Sequence, residues 1–384
     1  MATSRSRIPV SLLLLTLTAT VLACGSANPD SELGRRRDFC DASLFSLFSG
    51  ERICPSSNTH HASLYENGSI ARDQVHFMTN TNTEDSEDES TAPPSPLYTI
   101  LPIPSKGLGL IATIPIPRGT HIITEAPLLT IPLPPPTPGL GVSLPSLLTS
   151  LQTAFSSLPP PSQKTFLSLH NHRFPGDSTA VPPNPDLLTI FRSNAYNTGT
   201  SYIGLFPLIA RINHSCRPNA VNYWSERLGK RIIYAGRDID VGEEITVSYI
   251  PLLKSTKERQ QRLGQYGFVC GCEACRDEGS GKRRGKIQDL MEVLEQKVEA
   301  NNQKKVVNER LARRAERLVV LLKEEGLVDY LAKAYRFMAL FEGRAGNLKG
   351  ARVWAEKEIE ELRLAGEESD EVERAVAFLD GLVK

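Results

Sequence analysis

Three closely spaced cysteines, Cys270, Cys272 and Cys275, constrain the fold of this chain more than any other feature of its sequence. Thiolates in C-x-C and C-x-x-C spacing can converge on one tetrahedral metal ion, and a structural zinc site takes four ligands. Cys216 is the obvious fourth ligand, although it lies well upstream. The pattern predicts one structural zinc ion bound by these four thiols, which would tie two distant stretches of chain together. Four buried free thiols are the alternative interpretation.

Cys216 lies inside a short polar turn, and a strand-like stretch follows it. The turn covers residues 213–219, with the sequence NHSCRPN, and the strand covers residues 242–249, with the sequence GEEITVSY. An asparagine in such a turn often caps its own backbone, and a tyrosine ending a buried strand is usually a core residue with a satisfied hydroxyl. Neither stretch is specific alone, but their order ahead of the cysteine cluster is.

The order of these three pieces resembles that of the SET-domain protein lysine methyltransferases. In particular it resembles the branch that includes the SET-and-MYND (SMYD) proteins and their fungal relatives. The resemblance covers about residues 97–276, apart from an insertion at about 132–190. Because that insertion contains no cysteine, it cannot be a zinc-binding MYND module, and we expect a SMYD-like protein that lacks MYND.

The resemblance implies that S-adenosylmethionine is the methyl donor and binds in a pocket of backbone and small polar groups. Asn213 and His214 would contact its adenosine and amino-acid parts, and Asn194 would hold its carboxylate or amino end. The other predicted cofactor-binding residues are Gly107, Leu108, Gly109 and Phe268. Apart from the resemblance, glycines at such a turn can simply serve a hairpin, and a phenylalanine can simply be a core residue.

Tyr249 occupies the position of the catalytic tyrosine of SET enzymes, and Tyr266 would line the lysine channel by the same resemblance. The reaction requires in-line attack by a neutral lysine amine on the methyl group of a sulfonium. Alignment of the reactants can lower the barrier by about 7–11 kcal/mol at best. An aromatic-walled channel beside a cationic cofactor lowers the pKa of a lysine, because burial and like charge both disfavour the ammonium form.

Hydrophobic spacing divides the chain into a β-rich part and a helical part, so the predicted fold class is α+β. Short strands separated by glycine and proline turns recur over residues 97–254, the predicted SET domain with its proline-rich, partly helical insertion. Residues 255–278 would form a zinc-bound post-SET cap. Over residues 286–384 the spacing becomes helical, which predicts an all-helical C-terminal domain. Tyr335 to Trp354 resembles one tetratricopeptide-type (TPR-like) hairpin.

Two turns give finer predictions within the β-rich part. Residues 105–110 are predicted to form a glycine turn, with strands at 98–100 and 111–114 on either side. Residues 221–224 and 231–235 are rich in β-branched and aromatic residues, which predicts a β-hairpin.

The first 96 residues carry different signals. Residues 1–27 combine two arginines, an apolar run and small residues, which is typical of a cleaved signal peptide. A mispredicted start or another targeting segment is the alternative, and the run is too short for a transmembrane helix. Residues 28–96 are polar and acidic and are predicted to be largely disordered. Cys40 and Cys54 could pair if the chain is secreted, or they could be free thiols.

Net charge separates this chain from several classes of protein. Its 44 Lys and Arg balance 44 Asp and Glu, so the formal net charge is zero. General nucleic-acid and membrane-surface binders usually carry a basic excess, so we expect no direct nucleic-acid binding. We also expect no stable membrane span, because the N-terminal apolar run is too short for one. The oligomeric state is left open. The compartment is also left open, because the resemblance implies the nucleus or cytoplasm whereas the leader implies the secretory pathway.

The residues and the resemblance together predict an S-adenosylmethionine-dependent protein-lysine N-methyltransferase acting on a histone or non-histone protein. The main alternative is a catalytically inactive SET fold kept as a protein-interaction scaffold, which could be secreted. A third interpretation is a secreted protein that zinc stabilises and that has no intracellular substrate. Zero net charge and the lack of a repeated finger argue against a nucleic-acid-binding zinc module.

Overall fold

The computed structural model describes residues 96–134, 144–174, 186–199, 201–299, 304–367 and 369–382. The predicted signal peptide, the polar segment before Pro96, and Cys40 and Cys54 lie outside the described residues. Within these ranges, no helix has both the length and the apolar character needed to cross a membrane.

The described residues contain ten strands in three small sheets. The strands are β1 (Tyr98–Ile103), β2 (Gly107–Ala112), β3 (His121–Glu125), β4 (Leu129–Pro132), β5 (Ala195–Thr198), β6 (Tyr202–Leu205), β7 (Asn213–His214), β8 (Ala220–Ser225), β9 (Lys230–Ala235) and β10 (Glu244–Val247). Their orders are β1-β2-β10-β7, β3-β9-β8 and β4-β6-β5. The small sheets of short strands agree with the predicted fold class.

The first sheet brings the two polar stretches of the sequence side by side. β7 pairs with β10 in parallel, with Asn213 opposite Thr246 and His214 opposite Val247. β10 also pairs with β2 in antiparallel fashion. The 213–219 turn and the strand that leads to Tyr249 are therefore neighbours.

The turn between β1 and β2 lies earlier than predicted. It covers residues 104–106, and Gly107 already begins β2, where it pairs with Ile103. Positive φ angles at Ser105 (61°) and Gly107 (79°) let the chain reverse there. The predicted turn at 105–110 and strand at 111–114 are therefore wrong in their boundaries.

The hairpin predicted for residues 221–235 is confirmed. β8 and β9 pair in antiparallel register from Ala220 opposite Ala235 to Ser225 opposite Lys230. Ile233 of β9 packs in a hydrophobic cluster that also contains residues of β2 and β10. Consecutive β-branched residues suit this strand because much of it is buried.

Three helices of the described residues lie between β4 and β5. They are α1 (Leu144–Ser156), α2 (Pro160–Leu167) and α3 (Leu187–Asn194). Their apolar faces pack with β4 and β6 in a hydrophobic cluster, in which the rings of Phe155 and Phe166 meet edge to face at 5.2 Å. α3 continues past the predicted end of the insertion at residue 190, so Asn194 ends a helix.

A capped helix leads into the cysteine cluster. α4 (Thr256–Leu263) begins with a capping box in which Ser255 and Glu258 exchange hydrogen bonds. A 3-10 turn (Gly264–Tyr266) follows and ends at Gly267, whose φ is 82°. The short helix α5 (Glu273–Arg276) then carries the last cysteine.

Five helices follow in the C-terminal part of the described chain. They are α6 (Ser280–Val298), α7 (Lys305–Glu325), α8 (Leu331–Arg344), α9 (Leu348–Arg363) and α10 (Asp370–Gly381). α6 begins before the predicted start at 286, where Gly281 and Gly285 weaken the helical signal. The rings of Tyr335 and Trp354 join α8 and α9 at 5.4 Å, in the span that resembles a TPR hairpin. The predicted α+β class, with a helical C-terminal region, is confirmed.

One hydrophobic cluster connects the cysteines to these helices. Cys216 and Cys270 belong to the same buried cluster as Leu263 of α4, Leu294 of α6 and Leu318 of α7. The cysteine cluster therefore lies where the β-rich part meets the helical part.

Candidate functional site

The four predicted metal ligands converge. The sulfur atoms of Cys216, Cys270, Cys272 and Cys275 all lie within 4.8 Å of one another, and those of Cys216 and Cys275 are 3.6 Å apart. Sulfur atoms bound to one tetrahedral zinc ion at about 2.3 Å would be about 3.8 Å apart. The spacing and the thiol chemistry of this donor set therefore fit one zinc ion.

Neighbouring groups position these cysteines and shift the pKa values of their thiols. Gln260 of α4 fixes the backbone of Cys270 from both sides, donating to its carbonyl at 2.7 Å and accepting from its N–H at 3.0 Å. Hydrogen bonds from Cys216 and Cys270 lower the pKa of Cys275 to about 6. Hydrogen bonds from the other three cysteines also lower the pKa of Cys272, whereas the pKa values of Cys216 and Cys270 are raised by their hydrogen bonds with the cluster and by burial. The metal-binding thiolate form is therefore favoured at Cys272 and Cys275.

His214 lies between the cysteine cluster and Tyr249. Its Nδ1 accepts the backbone N–H of Tyr249 at 3.0 Å, and its Nε2 is 3.3 Å from the sulfur of Cys216. Burial lowers the pKa of His214 to about 3, so the imidazole is neutral at physiological pH. The sequence predicts that His214 contacts the cofactor, and in the structure its side chain makes these two contacts.

Tyr249 lies in a group of aromatic rings. The ring centroids of Tyr266, His214 and Phe268 are 5.1, 5.4 and 6.4 Å from that of Tyr249. The Tyr249 hydroxyl donates to the carbonyl of Ile212 at 2.6 Å, and Tyr266 donates to the carbonyl of Tyr249 at 3.4 Å. The structure thus brings together the predicted catalytic, channel and adenine-packing residues.

The tyrosine hydroxyl in this group is a donor and not a base. Burial, followed by the neighbouring hydroxyls of Tyr196 and Tyr266, raises the pKa of Tyr249 well above its usual value. The hydroxyl therefore keeps its proton throughout the physiological range. It can orient a lone pair or a polarised methyl group, but it cannot remove a proton from an amine.

One of the two predicted glycines, Gly109, approaches the Asn213 side chain closely. The Asn213 amide donates to the carbonyl of Leu108 at 3.1 Å and to Glu244 at 2.8 Å. A Cβ atom on Gly109 would lie 2.7 Å from the Asn213 amide nitrogen, so any larger residue there would force neighbouring side chains to shift. Gly107 precedes this contact on β2 and has open space around it.

Asn194 is linked to the site indirectly, through the segment that contains His170 and His172. Its amide donates to the carbonyls of His170 and Ile190, both at 2.7 Å. The imidazole of His172 lies so near Gly267 that a Cβ atom there would be 2.4 Å from Nδ1. Asn194 therefore holds the segment that packs against the chain just before Phe268.

Asn219 is part of the predicted turn, but its role was not predicted. Its side chain is 1% exposed, and it donates to Glu243 at 3.0 Å and to the carbonyl of Glu244 at 2.9 Å. It also accepts the N–H of Thr246 at 2.8 Å. These bonds fix the end of the 213–219 turn to β10.

Comparison with known proteins agrees with this arrangement. Residues 107–250 match the SET domain family, a range that begins at Gly107 and ends just after Tyr249. The chain contains a SET domain. The matched range includes the whole Asn213 to Asn219 turn, whereas Tyr266, Phe268 and the cysteine cluster follow it.

Several curated proteins are similar to this SET domain. The chain is 36% identical over 195 residues to "Histone-lysine N-methyltransferase set5" of Schizosaccharomyces pombe, covering 50% of this chain and 54% of that protein. It is 34% identical over 131 residues to human "Histone-lysine N-methyltransferase SMYD3" (31% and 30%). It is 44% identical over 84 residues to "Histone-lysine N-methyltransferase ATXR2" of Arabidopsis thaliana (21% and 17%). The chain thus spans about half the length of the first relative and less than a third of the other two.

A buried ion pair joins the SET domain to the C-terminal helices. Arg284 of α6 and Glu325 of α7 are both fully buried and are 2.9 Å apart. Arg284 also donates to the carbonyls of Cys216 at 2.7 Å and Leu252 at 2.8 Å. Glu325 accepts the hydroxyl proton of Ser280 at 2.7 Å. The pair therefore holds the backbone of a predicted metal ligand.

A second buried arginine supports the same site. Arg259 of α4 has no exposed surface and donates to the carbonyls of Lys254 at 2.7 Å and Ala274 at 3.3 Å. Ala274 lies between Cys272 and Cys275. Arg259 therefore positions the segment that carries Cys272 and Cys275.

Proposed function

We propose that this chain is an S-adenosylmethionine-dependent protein-lysine N-methyltransferase. The observation that carries the proposal is the aromatic group of Tyr249, Tyr266 and Phe268 beside the Asn213-His214 turn. Tyr249 and the turn lie in the SET domain, and Tyr266 and Phe268 follow it closely; proteins similar to this domain are named as lysine methyltransferases. Since the chain covers only part of those relatives, the activity is proposed here from the site.

Donor binding is proposed for the residues that meet around β2 and β7. When bound, S-adenosylmethionine would supply a methyl group on a sulfonium. Gly109 leaves room for backbone to approach the donor, and Asn213 is held in one orientation by Leu108 and Glu244. The ring of Phe268 would cover the adenine, and Asn194 would act at the other end of the donor.

Tyr249 and Tyr266 are proposed to prepare the lysine. Aromatic walls exclude water and disfavour the ammonium form of a lysine, so the amine would enter the channel neutral. The protonated Tyr249 hydroxyl would orient the amine for in-line attack, because its raised pKa prevents it from acting as a base. The proton of the lysine must therefore leave to solvent before the transfer.

The cysteine cluster is proposed to hold one structural zinc ion. Cys216, Cys270, Cys272 and Cys275 supply four thiolates, which is the complete shell of a structural site and leaves no position for a reacting water. The ion would fix the turn that carries Asn213 against the segment that carries Phe268.

The proposed substrate is a lysine side chain of a protein, either a histone or another protein. The three similar proteins described above are each named "Histone-lysine N-methyltransferase", and a fourth, from human, is named "N-lysine methyltransferase SMYD2". The C-terminal helices beside the SET domain would flank the cleft that receives the peptide.

Calorimetric titration of S-adenosylmethionine into the full zinc-loaded chain tests the proposal. We expect one equivalent to bind the wild type, and Asn213→Ala to abolish binding. Tyr249→Phe should still bind the donor but should lose methylation of histone and whole-proteome substrates. Tyr202→Phe is the matched control, because Tyr202 is 53% exposed and outside the site.

Failure of donor binding would favour the other interpretation. If a folded, zinc-loaded wild type binds no S-adenosylmethionine, the chain is a SET-fold scaffold for protein binding. The presence of Asn213, His214 and Tyr249 in one contact network supports the enzyme instead.

The compartment is tested by sequencing the N-terminus of the native protein from cell fractions. We propose that the enzyme acts in the nucleus or cytoplasm, where thiols stay reduced and available to zinc. An intact N-terminus in those fractions supports this. Cleavage near Ala27 and recovery from the medium would support a secreted protein.

A further inference from the structure

The tautomer of His214 follows from its contacts. A backbone amide can only donate, so His214 Nδ1, which accepts the N–H of Tyr249 at 3.0 Å, carries no proton. With Nδ1 acting as an acceptor, the N–H of the imidazole is on Nε2. Nε2 is 3.3 Å from the sulfur of Cys216, so this N–H is placed to donate to that sulfur.

The ring has little freedom to adopt another arrangement. His214 is only 5% exposed. The centroid of its ring lies 5.4 Å from that of Tyr249 and 6.2 Å from that of Phe268. The pairing of His214 with Val247 in the parallel ladder fixes its backbone relative to β10. One imidazole therefore spans the gap between the cysteine cluster and the backbone of the proposed catalytic tyrosine.

We infer that the His214 side chain is a positioning residue that couples the metal site to Tyr249 through these two hydrogen bonds. This role differs from cofactor contact, which was predicted for the same residue. It rests on the proposed function only for its kinetic consequences, since its effects on the metal can be measured without any reaction.

The physical effect at each end is different. Hydrogen bonds from outer groups orient metal ligands and tune their basicity, and their loss typically costs about 10–100-fold in metal affinity or activity. At the other end, His214 Nδ1 accepts the Tyr249 N–H and so fixes the backbone of Tyr249, from which the tyrosine ring extends. A change in the metal site should therefore reach Tyr249 without any change in the aromatic residues.

Two isosteric variants separate the two bonds. His214→Gln places an amide N–H near the Nε2 position and so keeps the donor to Cys216, but it lacks an acceptor near Nδ1. His214→Asn places an oxygen near the Nδ1 position and so keeps the acceptor for Tyr249, but it lacks the donor. His121→Gln, at an exposed histidine on β3, is the matched control.

The metal end is measured by zinc release to a chromogenic chelator and by the spectrum of the cobalt-substituted protein. We expect His214→Asn to lose zinc about 10–100-fold faster than wild type. We also expect its sulfur-to-cobalt charge-transfer band to move to lower energy, because the thiolate has lost a donor. His214→Gln and His121→Gln should match the wild type in both measurements.

The tyrosine end is measured by steady-state kinetics at saturating zinc. We expect His214→Gln to lower kcat about 10–100-fold with an unchanged KM for the peptide, since the ring of Tyr249 is misplaced. His214→Asn should recover activity as zinc is added, whereas His214→Gln should not. Equal losses in both variants at saturating zinc would overturn the coupling.

Hydrogen exchange of the wild-type protein provides a test that needs no variant. Removal of zinc should speed exchange of the Tyr249 amide more than exchange of amides in the β8–β9 hairpin. Unchanged protection of Tyr249 without zinc, or a cobalt spectrum identical in all variants, would contradict the inference. A wild type that binds zinc but no S-adenosylmethionine would refute the proposed function while the cobalt and exchange results still decide the role of His214.

Discussion

The guanidinium of Arg284 and the carbonyl of Cys216 are 2.7 Å apart, so a helix of the C-terminal region directly holds the turn of the SET domain. Glu325, on the next helix, neutralises that guanidinium at 2.9 Å. Neither side chain has any exposed surface. The helical region is thus part of the proposed metal site and not a separate appendage.

Removal of one partner of this ion pair should destabilise the protein strongly. Arg284→Met removes the fully buried cationic partner of Glu325 and leaves it paired with Arg283 and Arg217, which are partly exposed. We therefore expect a loss of unfolding free energy of at most about 3–5 kcal/mol, the value typical of breaking a buried ion pair. Arg363→Met is the control, because Arg363 is an exposed residue paired with Glu367 and should cost less than about 1 kcal/mol. Urea denaturation of the zinc-loaded proteins measures both. Similar midpoints for the two variants would show that the buried pair does little for stability.

The double variant Arg284→Met/Glu325→Leu should be less destabilised than the sum of the single variants. Removing both charges avoids leaving one of them buried and uncompensated. Because the bond to Cys216 is also lost, we expect zinc release to be faster in the double variant even where stability recovers. Strict additivity in a double-mutant cycle would argue against direct coupling.

Replacement of Gly109 by alanine should abolish donor binding. The new Cβ atom would lie 2.6 Å from Ile103 Cγ1 and 2.7 Å from the Asn213 amide, so Asn213 must move. Gly285→Ala is the control, because it lies in α6 with open space around it and alanine is favoured in a helix by about 1 kcal/mol. Calorimetry and thermal melting distinguish the two. Normal binding of S-adenosylmethionine by Gly109→Ala would remove Asn213 from the proposed pocket.

Glu358 should make stability fall as pH rises. Burial raises the pKa of Glu358 from 4.5 to about 7, against the opposing effect of Arg336. Below pH 4.5 the carboxyl is protonated in both the folded and the unfolded state, so its pKa shift does not change the unfolding free energy. Between pH 4.5 and 7 the unfolded state loses its proton while the folded state keeps it, so stability falls by about 3 kcal/mol and then stays constant.

Glu358→Gln therefore should stabilise the protein at pH 8 and have little effect at pH 4.5. The gain should be about 1–3 kcal/mol, since glutamine also loses the partly exposed ion pair with Arg336. Denaturation curves of both proteins across this pH range measure the difference. If the difference in unfolding free energy between variant and wild type is the same at both pH values, Glu358 has an ordinary pKa.

Removal of the proposed zinc ion should lower the melting temperature of the SET domain and the helices together. The cysteines share one hydrophobic cluster with α6 and α7, so loosening them should affect both. Excess chelator should cause the shift, and zinc but not magnesium should reverse it, because thiolates do not suit magnesium. Cys272→Ser should resemble the chelated wild type. A melting curve that chelator does not change would favour four free thiols.

Those parts of the site that have a local sequence pattern could be predicted. The cysteine spacing, the 213–219 turn and the strand before Tyr249 each have a recognisable pattern, and the structure brings them together. The roles of Tyr249 and Tyr266 in catalysis stay predictions. Glu244 and Asn219 lay within the recognised stretches, but their contacts depend on how the strands pair.

Contacts between residues far apart in the sequence could not be predicted, because they produce no local sequence pattern. Arg284 and Glu325 look like ordinary charged residues of solvated helices, and only the packing of α6 against α7 shows that both are buried. Gln260 is equally inconspicuous in a polar helix, although it holds the Cys270 backbone. The glycine turn was misplaced because the positive φ of Ser105, a non-glycine residue, shortens it.

The path of the chain between Cys216 and Cys270 sets an order for biosynthesis. The segments β8, β9, β10 and α4 lie between the two cysteines, so the ribosome must deliver all of them before the four thiols can meet. Glu325, which neutralises the arginine that holds Cys216, is made later still. A nascent chain that has exposed the whole SET domain would therefore still lack groups that hold the proposed zinc ion. We expect final assembly of the site only after α7 has emerged.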